Sequence, residues 1–267
     1  MLLVLLPLIE ARNWSVGRIA LLTVAGLAAL TAFVGWERRY ARHREPVVDL
    51  SLFRLRSYTL GVVIGLVYFA GFTAIFLAFT VYLQLGLDYS ALAAGAALTP
   101  FSLGSAVAAL VGGRIVTRFG RRVVATGLTL VTLGVGGSAL GAGVMPDTGA
   151  IWLVAAPLLI AGFGSGLVIS PNVTLTLAEV PVARAGSASG VLQTGQRLGS
   201  AIGIASVGSV FFAAAAHGNW GSAYWHAMLV TIALIVTALA AALLDLRLSR
   251  RPPAGSGGRR RTSERAE

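Results

Sequence analysis

One basic side chain, Arg197, lies inside the apolar stretch Ala188–Ala216, with Gln193 one helical turn before it and Gln196 beside it. An ionisable group within a membrane span is costly and usually marks a functional site. A guanidinium beside two amides suits a cavity that binds the polar groups of a small molecule. The alternative stays open: the helix begins later, and Arg197 reaches the membrane surface along its own aliphatic stem.

Tyr68, Phe72 and Phe76 are spaced at i, i+4 and i+8, which places them on one face of a helix. If that face lines a cavity, it favours a lipophilic or cationic ligand through apolar contact and cation–π attraction. Packing or contact with lipid is the alternative. Phe69 lies off this face and is expected to pack. Asn172 follows Pro171 and either lines the cavity or bonds to backbone groups that the proline frees.

The sequence offers no enzymatic chemistry that we recognise. It has no cysteine and three histidines, His43, His217 and His226, which cannot form an H-E-x-x-H zinc site. Neither a metal nor a cofactor is predicted. No carboxylate falls in the middle of a predicted span, so a proton-carrying group is expected outside this chain.

A glycine- and arginine-rich loop is the most distinctive motif. Its glycines allow a tight turn, and its arginines can bond to carboxylates or helix C-termini on a neighbouring helix. Such bonds would latch one conformation. The alternative is an ordinary basic loop. The residues concerned are Gly113, Arg114, Arg118, Gly120, Arg121 and Arg122.

The elements that carry these residues are predicted to be membrane-spanning helices. The chain is 56% hydrophobic and 12% charged, which no soluble fold of this size accommodates. Met1–Ile9 resembles the end of a further helix, which suggests that the chain begins inside one. The seven full spans are Val16–Trp36, Tyr58–Leu85, Ala91–Val116, Val123–Val144, Ala150–Ala178, Ala188–Ala216 and Ala223–Leu244.

The arginines concentrate in alternate loops and in the C-terminal tail. Because basic loops stay in the cytoplasm, the C-terminus is predicted to be cytoplasmic in a multi-pass protein of a bacterial plasma membrane. The arginines of these loops and of the tail account for the net charge of +11, so nucleic acid is not predicted as a partner. The predicted division is a helical hairpin over 1–36, a cytoplasmic linker over 37–57, a six-helix bundle over 58–248, and a disordered arginine-rich tail over 249–267.

Gly113 to Arg122 resembles the G-x-L-x-D-R-x-G-R-[KR] loop of the major facilitator superfamily, with Thr117 where that pattern has Asp. Further stretches, in order, resemble the EmrB/QacA group of 14-helix drug:proton antiporters. They include Pro7–Glu10 with Trp14, Trp36–Arg39, Pro46–Leu50, Tyr82–Gln84, Gly162–Leu167, Arg184–Gly190 and Gln193–Gly199.

This resemblance implies an all-α polytopic fold, with helices 8 to 14 of the family after the end of helix 7. It implies two inverted three-helix repeats, Tyr58–Val144 and Ala150–Leu244. By the same resemblance, the chain is a C-terminal half that exports small amphipathic or cationic drugs in exchange for protons. It is expected to be inactive without an N-terminal six-helix bundle, with lipid, a drug-like molecule and the proton as the remaining partners.

Two other interpretations remain. The first is a non-transporting remnant or one subunit of a split transporter. The second is a seven-helix receptor, which the number of spans permits. The absence of lysine excludes a retinal Schiff base, and a receptor leaves the glycine- and arginine-rich loop unexplained.

Overall fold

The computed structural model describes residues 49–144 and 151–249, together with scattered helical residues between Leu21 and Trp36. Within these residues the secondary structure is helical. The helices are α1 (Arg56–Val81), α2 (Ala91–Ala97), α3 (Thr99–Phe119), α4 (Arg121–Val144), α5 (Ile151–Leu177), α6 (Ala185–Ala215) and α7 (Trp220–Ser249). A π-helical turn at Tyr82–Gly86 continues α1, and 3₁₀ turns occupy Leu50–Arg54 and Val182–Arg184.

These helices form six segments that are long and apolar enough to cross a membrane. One of them, Ala91–Phe119, combines α2 and α3, which meet at Leu98. Pro100 follows the break as one of the first residues of α3, where its missing N–H costs nothing. The prediction of an all-α, polytopic membrane fold is confirmed. The predicted span Val16–Trp36 and the partial helix Met1–Ile9 lie largely or wholly outside the described residues, as does the arginine-rich tail.

The helices pack in a pattern that repeats within the bundle. α1 packs against α6 and α7, while α5 packs against α3 and α4. Contacts between α4 and α7, between α1 and α5, between α6 and α7 and between α3 and α4 are also present. Exchanging α1 with α5, α3 with α6 and α4 with α7 leaves this list of partners unchanged. Because spans alternate in direction, the pattern is that of two three-helix repeats with inverted orientation.

Close approach of α1 and α6 depends on two glycines. A Cβ added at Gly199 would collide with the carbonyl oxygen of Leu66, and one at Gly203 would collide with that of Ala70. The two glycines are four residues apart and therefore share one face of α6. Small residues at this spacing let membrane helices pack backbone against backbone. This contact fixes α6 against α1 and leaves the rest of the α6 surface for other neighbours.

Candidate functional site

A groove of about 430 Å³ runs between α1, α5 and α6. Its apolar side is formed by Phe69 of α1, Val173 of α5 and Leu192 of α6. Its polar side comes entirely from α6, and we call the whole the α6 groove. The polar lining residues are Ser189, Gln193, Gln196, Arg197 and Ser200.

Helical periodicity explains why the polar residues gather there. Ser189, Gln193, Gln196 and Ser200 follow one another at intervals of four, three and four residues, which is one stripe of a helix. Gly199 and Gly203 press against α1 at the same time. The structure thus brings together three residues that the sequence singled out, Gln193, Gln196 and Arg197.

Arg197 stands well within α6. The helix begins at Ala185, so Arg197 lies twelve residues, or roughly 18 Å, from its start. The alternative in which the helix begins later does not hold. Arg197 is exposed at the edge of the α6 groove and forms no ion pair with any residue in the described ranges.

The aromatic face of α1, which carries Tyr68, Phe72 and Phe76, does not line the α6 groove. Tyr68 is 1% exposed and does not line the groove. Phe72 and Phe76 are half-buried, and their ring centroids lie 6.1 and 5.0 Å from that of Phe101 of α3. Phe69, which was expected to pack, lines the groove instead. The aromatic residues share a face as their spacing predicts, but Tyr68 on that face is buried, while Phe72 and Phe76 are half-buried beside Phe101.

Asn172 is a structural residue in this fold and does not line the α6 groove. It is 2% exposed, and its Nδ2 donates a hydrogen bond to the carbonyl oxygen of Gly61 at 3.0 Å. Its Oδ1 accepts one from Nη1 of Arg121 at 2.6 Å. The amide is therefore committed to α1 and α4. Its Nδ2 bonds to a carbonyl of α1, and not to the carbonyl that Pro171 frees in its own helix.

Arg121 makes further bonds that the sequence did not reveal. Its Nε lies 2.8 Å from Oδ2 of Asp245 at the end of α7, and its Nη2 donates to the carbonyl oxygen of Ser57 at 2.8 Å. Arg56 also approaches Asp245, with 3.4 Å between Nη2 and Oδ1. We call Ser57, Arg121, Asn172 and Asp245 the Arg121 network. It ties α1, α4, α5 and α7 together at the end of the bundle that carries the arginine-rich loops.

The other arginines of the loop motif behave differently. Arg114, Arg118 and Arg122 are exposed, and the guanidinium of Arg118 lies 5.4 Å from the ring centroid of Phe119. Gly120 has φ +55°, a conformation that favours glycine, and it separates α3 from α4. The glycine turn therefore sets Arg121 at the first position of α4, from which it points into the bundle. Of the motif's arginines, Arg121 alone bonds to neighbouring helices within the part of the chain that the structure describes.

A second ion pair holds the segment before α1. Asp49 caps the turn at Leu50–Arg54 by accepting from the backbone N–H of Ser51 at 2.9 Å, and its other oxygen lies 2.5 Å from Arg184. Hydrogen bonding by the Ser51 side chain and backbone, together with the charge of Arg184, holds the pKa of Asp49 below its ordinary value. The pair connects this segment to the turn between α5 and α6.

The family model described as Major Facilitator Superfamily matches residues 61–266. The chain is 34% identical to the "Probable actinorhodin transporter" of Streptomyces coelicolor, over 79% of this chain and 37% of that protein. It is 34% identical to "Multidrug resistance protein Stp" of Mycobacterium tuberculosis, over 74% of this chain and 36% of that protein. "Puromycin resistance protein pur8" of Streptomyces alboniger is 32% identical, over 74% and 39% respectively.

In each of these pairs the matched region is most of this chain but less than half of the relative. The names printed for the relatives describe transport of, or resistance to, small molecules.

Proposed function

Because the chain belongs to the major facilitator superfamily, we propose that it is the C-terminal half of a secondary transporter that exports small amphipathic molecules in exchange for protons. Relatives with 32–34% identity carry names of transporters and drug-resistance proteins. The multi-pass helical bundle agrees with membership of this family. The family's relatives are transporters, so we assign no enzymatic reaction.

The α6 groove is the observation on which this proposal depends. It combines hydrogen-bonding side chains on α6 with an apolar wall from α1 and α5. Its volume of about 430 Å³ lies within the roughly 300–1,000 Å³ of small-molecule sites. Such a groove suits a molecule with a polar and an apolar end. In a complete transporter the second six-helix bundle would close it near the middle of the membrane.

The aromatic face that favoured cationic substrates is not part of the α6 groove. Tyr68 is buried, and Phe72 and Phe76 pack against Phe101. The charged side chain that lines the groove is Arg197, which repels a cation. We therefore propose amphipathic molecules for the α6 groove, and a cationic substrate stays a prediction that depends on the half-buried Phe72 and Phe76.

Proton exchange requires a titratable group that meets both sides of the membrane in turn. None of the carboxylates in the described ranges lines the α6 groove. We therefore propose that the proton site belongs to an N-terminal six-helix bundle, and that this chain does not transport alone. The arginine-rich loops favour a bacterial plasma membrane with the C-terminus in the cytoplasm.

A second arrangement has this chain as one subunit of a split transporter, or as a remnant that does not transport. The matched region covers only 36–39% of the relatives named above, which is compatible with either. The division into a hairpin, a linker, a bundle and a tail is common to all these arrangements and stays a prediction.

The test is accumulation of an amphipathic fluorescent dye in bacteria that lack their main efflux pumps. The 267-residue chain is compared with the same chain extended by any in-frame upstream coding sequence. Lower accumulation with the extended form alone, abolished by a protonophore, supports the proposal. Export by the 267-residue chain alone would contradict the half-transporter assignment and favour a dimer of half-transporters. Failure of both forms would favour the remnant.

A further inference from the structure

We propose that the α6 groove recognises molecules with an acidic group, which Arg197 binds while their apolar body lies against Phe69. This inference rests on the proposed function, because it names the class of molecule that the transporter exports. It replaces the cationic ligand that the aromatic spacing favoured with an anionic one.

The first argument is charge. Arg197 is the charged residue among those lining the groove. The carboxylates of the described ranges are used or placed elsewhere: Asp245 pairs with Arg121, Asp49 with Arg184, and Glu179 accepts from Ser57. Asp88 lies in the loop after the π-helical turn. An arginine within a span needs a counter-charge, because its own desolvation is otherwise uncompensated. A ligand carboxylate supplies that charge.

The second argument is the set of hydrogen-bond donors around Arg197. A guanidinium presents parallel N–H groups that match the two oxygens of a carboxylate. Gln193 and Gln196 bring amide donors on either side, and Ser189 and Ser200 bring hydroxyl donors along the same stripe. The amides and hydroxyls can also accept, so the preference for a carboxylate over an ammonium group comes from Arg197, which only donates and carries positive charge.

The third argument is the aromatic wall. The ring centroid of Phe69 lies 5.4 Å from that of Phe72, and that of Phe72 lies 5.1 Å from that of Phe76. Phe69, which is half-buried and lines the groove, therefore belongs to a row of packed rings. Offset or edge-on contact with a ligand ring extends such a row at favourable energy. An aromatic acid fits both sides of the groove.

The experiment uses the full 267-residue chain in detergent and three probes. They are 2-naphthoate, its uncharged analogue 2-naphthamide, and acetate, which has the charge without the rings. Binding is measured by calorimetric titration, with protein-free detergent as the blank. We expect 2-naphthoate to bind about tenfold or more tightly than 2-naphthamide, as hydrogen bonds to charged groups imply. We expect acetate to compete weakly.

Variants assign the effect to residues. Arg197→Gln should abolish the preference for 2-naphthoate over 2-naphthamide, and Arg197→Lys should keep part of it. Phe69→Ala should weaken 2-naphthoate and leave acetate unchanged. Arg118→Gln removes an exposed arginine outside the groove and should change nothing. Thermal unfolding of each variant shows whether it has kept its fold.

Two results would overturn the inference. Equal affinity for 2-naphthoate and 2-naphthamide would show that Arg197 does not select an acid. If acetate competed as strongly as 2-naphthoate, Arg197 would bind any carboxylate without recognising an aromatic body. Its partner could then be a carboxylate side chain of the other bundle. The proposed function fails separately, if the extended form shows no proton-dependent export while Arg197-dependent binding persists.

Discussion

The side chains of Arg121 and Asp245 form an ion pair, with Nε and Oδ2 2.8 Å apart, and they are 8% and 6% exposed. Two further bonds, to Oδ1 of Asn172 and to the carbonyl oxygen of Ser57, occupy the remaining nitrogens of the guanidinium. A buried pair offsets its own desolvation only when its polar atoms are satisfied in this way. Through these bonds Arg121 and Asp245 connect α1, α4, α5 and α7.

Asp245→Asn should be strongly destabilising, because it leaves the charge of Arg121 buried without a counter-ion. Loss of one partner of a buried pair costs about 3–5 kcal/mol. Arg122→Gln is the matched control, since Arg122 is adjacent in sequence and exposed, and it should fall within about 0.5 kcal/mol of the wild type. Chemical unfolding in detergent measures both. Similar stabilities for the two variants would show that the Arg121 network contributes little.

Gly199→Leu should separate α1 from α6, because the carbonyl oxygen of Leu66 occupies the space of any added Cβ. Overpacking typically costs about 1–3 kcal/mol, and backbone cannot move aside as a side chain can. Gly190→Ala on the same helix meets no atom within 4 Å and should be neutral or more stable by up to about 1 kcal/mol. Thermal unfolding compares them. A tolerated leucine at position 199 would contradict the close contact.

Asn172→Ala should lower the stability of the fold, whereas Gln193→Ala should weaken ligand binding. Asn172 bonds to Arg121 and Gly61 inside the bundle, so its loss should lower stability by about 1–3 kcal/mol for the groups left unsatisfied. Gln193 is exposed in the α6 groove, so its loss should weaken 2-naphthoate binding without lowering the unfolding temperature. The two measurements are unfolding and calorimetry. If the Asn172→Ala protein were as stable as the wild type, the hydrogen bonds of Asn172 would not be needed for the fold. Asn172 would then again be a candidate for a cavity residue.

Low pH should release the segment before α1 from the turn before α6. The pKa of Asp49 is lowered in the folded protein, so its contribution is present above the ordinary value near 3.8 and is lost as the pH falls through the lower, folded value. Spin labels at Arg54→Cys and Ala183→Cys report the separation, since the chain has no cysteine of its own.

A broader distance distribution is expected in the wild type only below about pH 4. It is expected at neutral pH in Asp49→Asn and in Arg184→Gln. An Asp49→Asn distribution as narrow as that of the wild type would show that the ion pair does not hold the segment.

The sequence predicted the spans well because membrane helices depend on composition over about 20 residues. The span predicted as Ala188–Ala216 is the helix Ala185–Ala215. The position of Arg197 inside an apolar stretch, with Gln193 and Gln196 close to it, was also sufficient to select three residues that line the α6 groove. These properties are local along the chain, and the structure places them as periodicity implies.

Relationships between distant residues were not accessible in this way. Arg121 and Arg122 are the same residue type at adjacent positions, and only the phase of α4 turns the first inward. Asp245 was assigned to a span end, which is correct, but its partner belongs to another helix. Tyr68, Phe72 and Phe76 share a face as predicted, yet Phe101 of α3 determines what that face meets.

The bond between Arg56 and Asp245 spans 189 residues of sequence. Synthesis proceeds at about 5–20 residues per second, so roughly 10–40 s separate the two ends on the ribosome. For the later part of that interval Arg121 is already synthesised, but its ion-pair partner Asp245 arrives only with the last helix. Insertion of α7 is therefore the step that completes the bundle, and a ribosome stalled before Asp245 leaves a nascent chain in which Arg121 lacks its ion-pair partner.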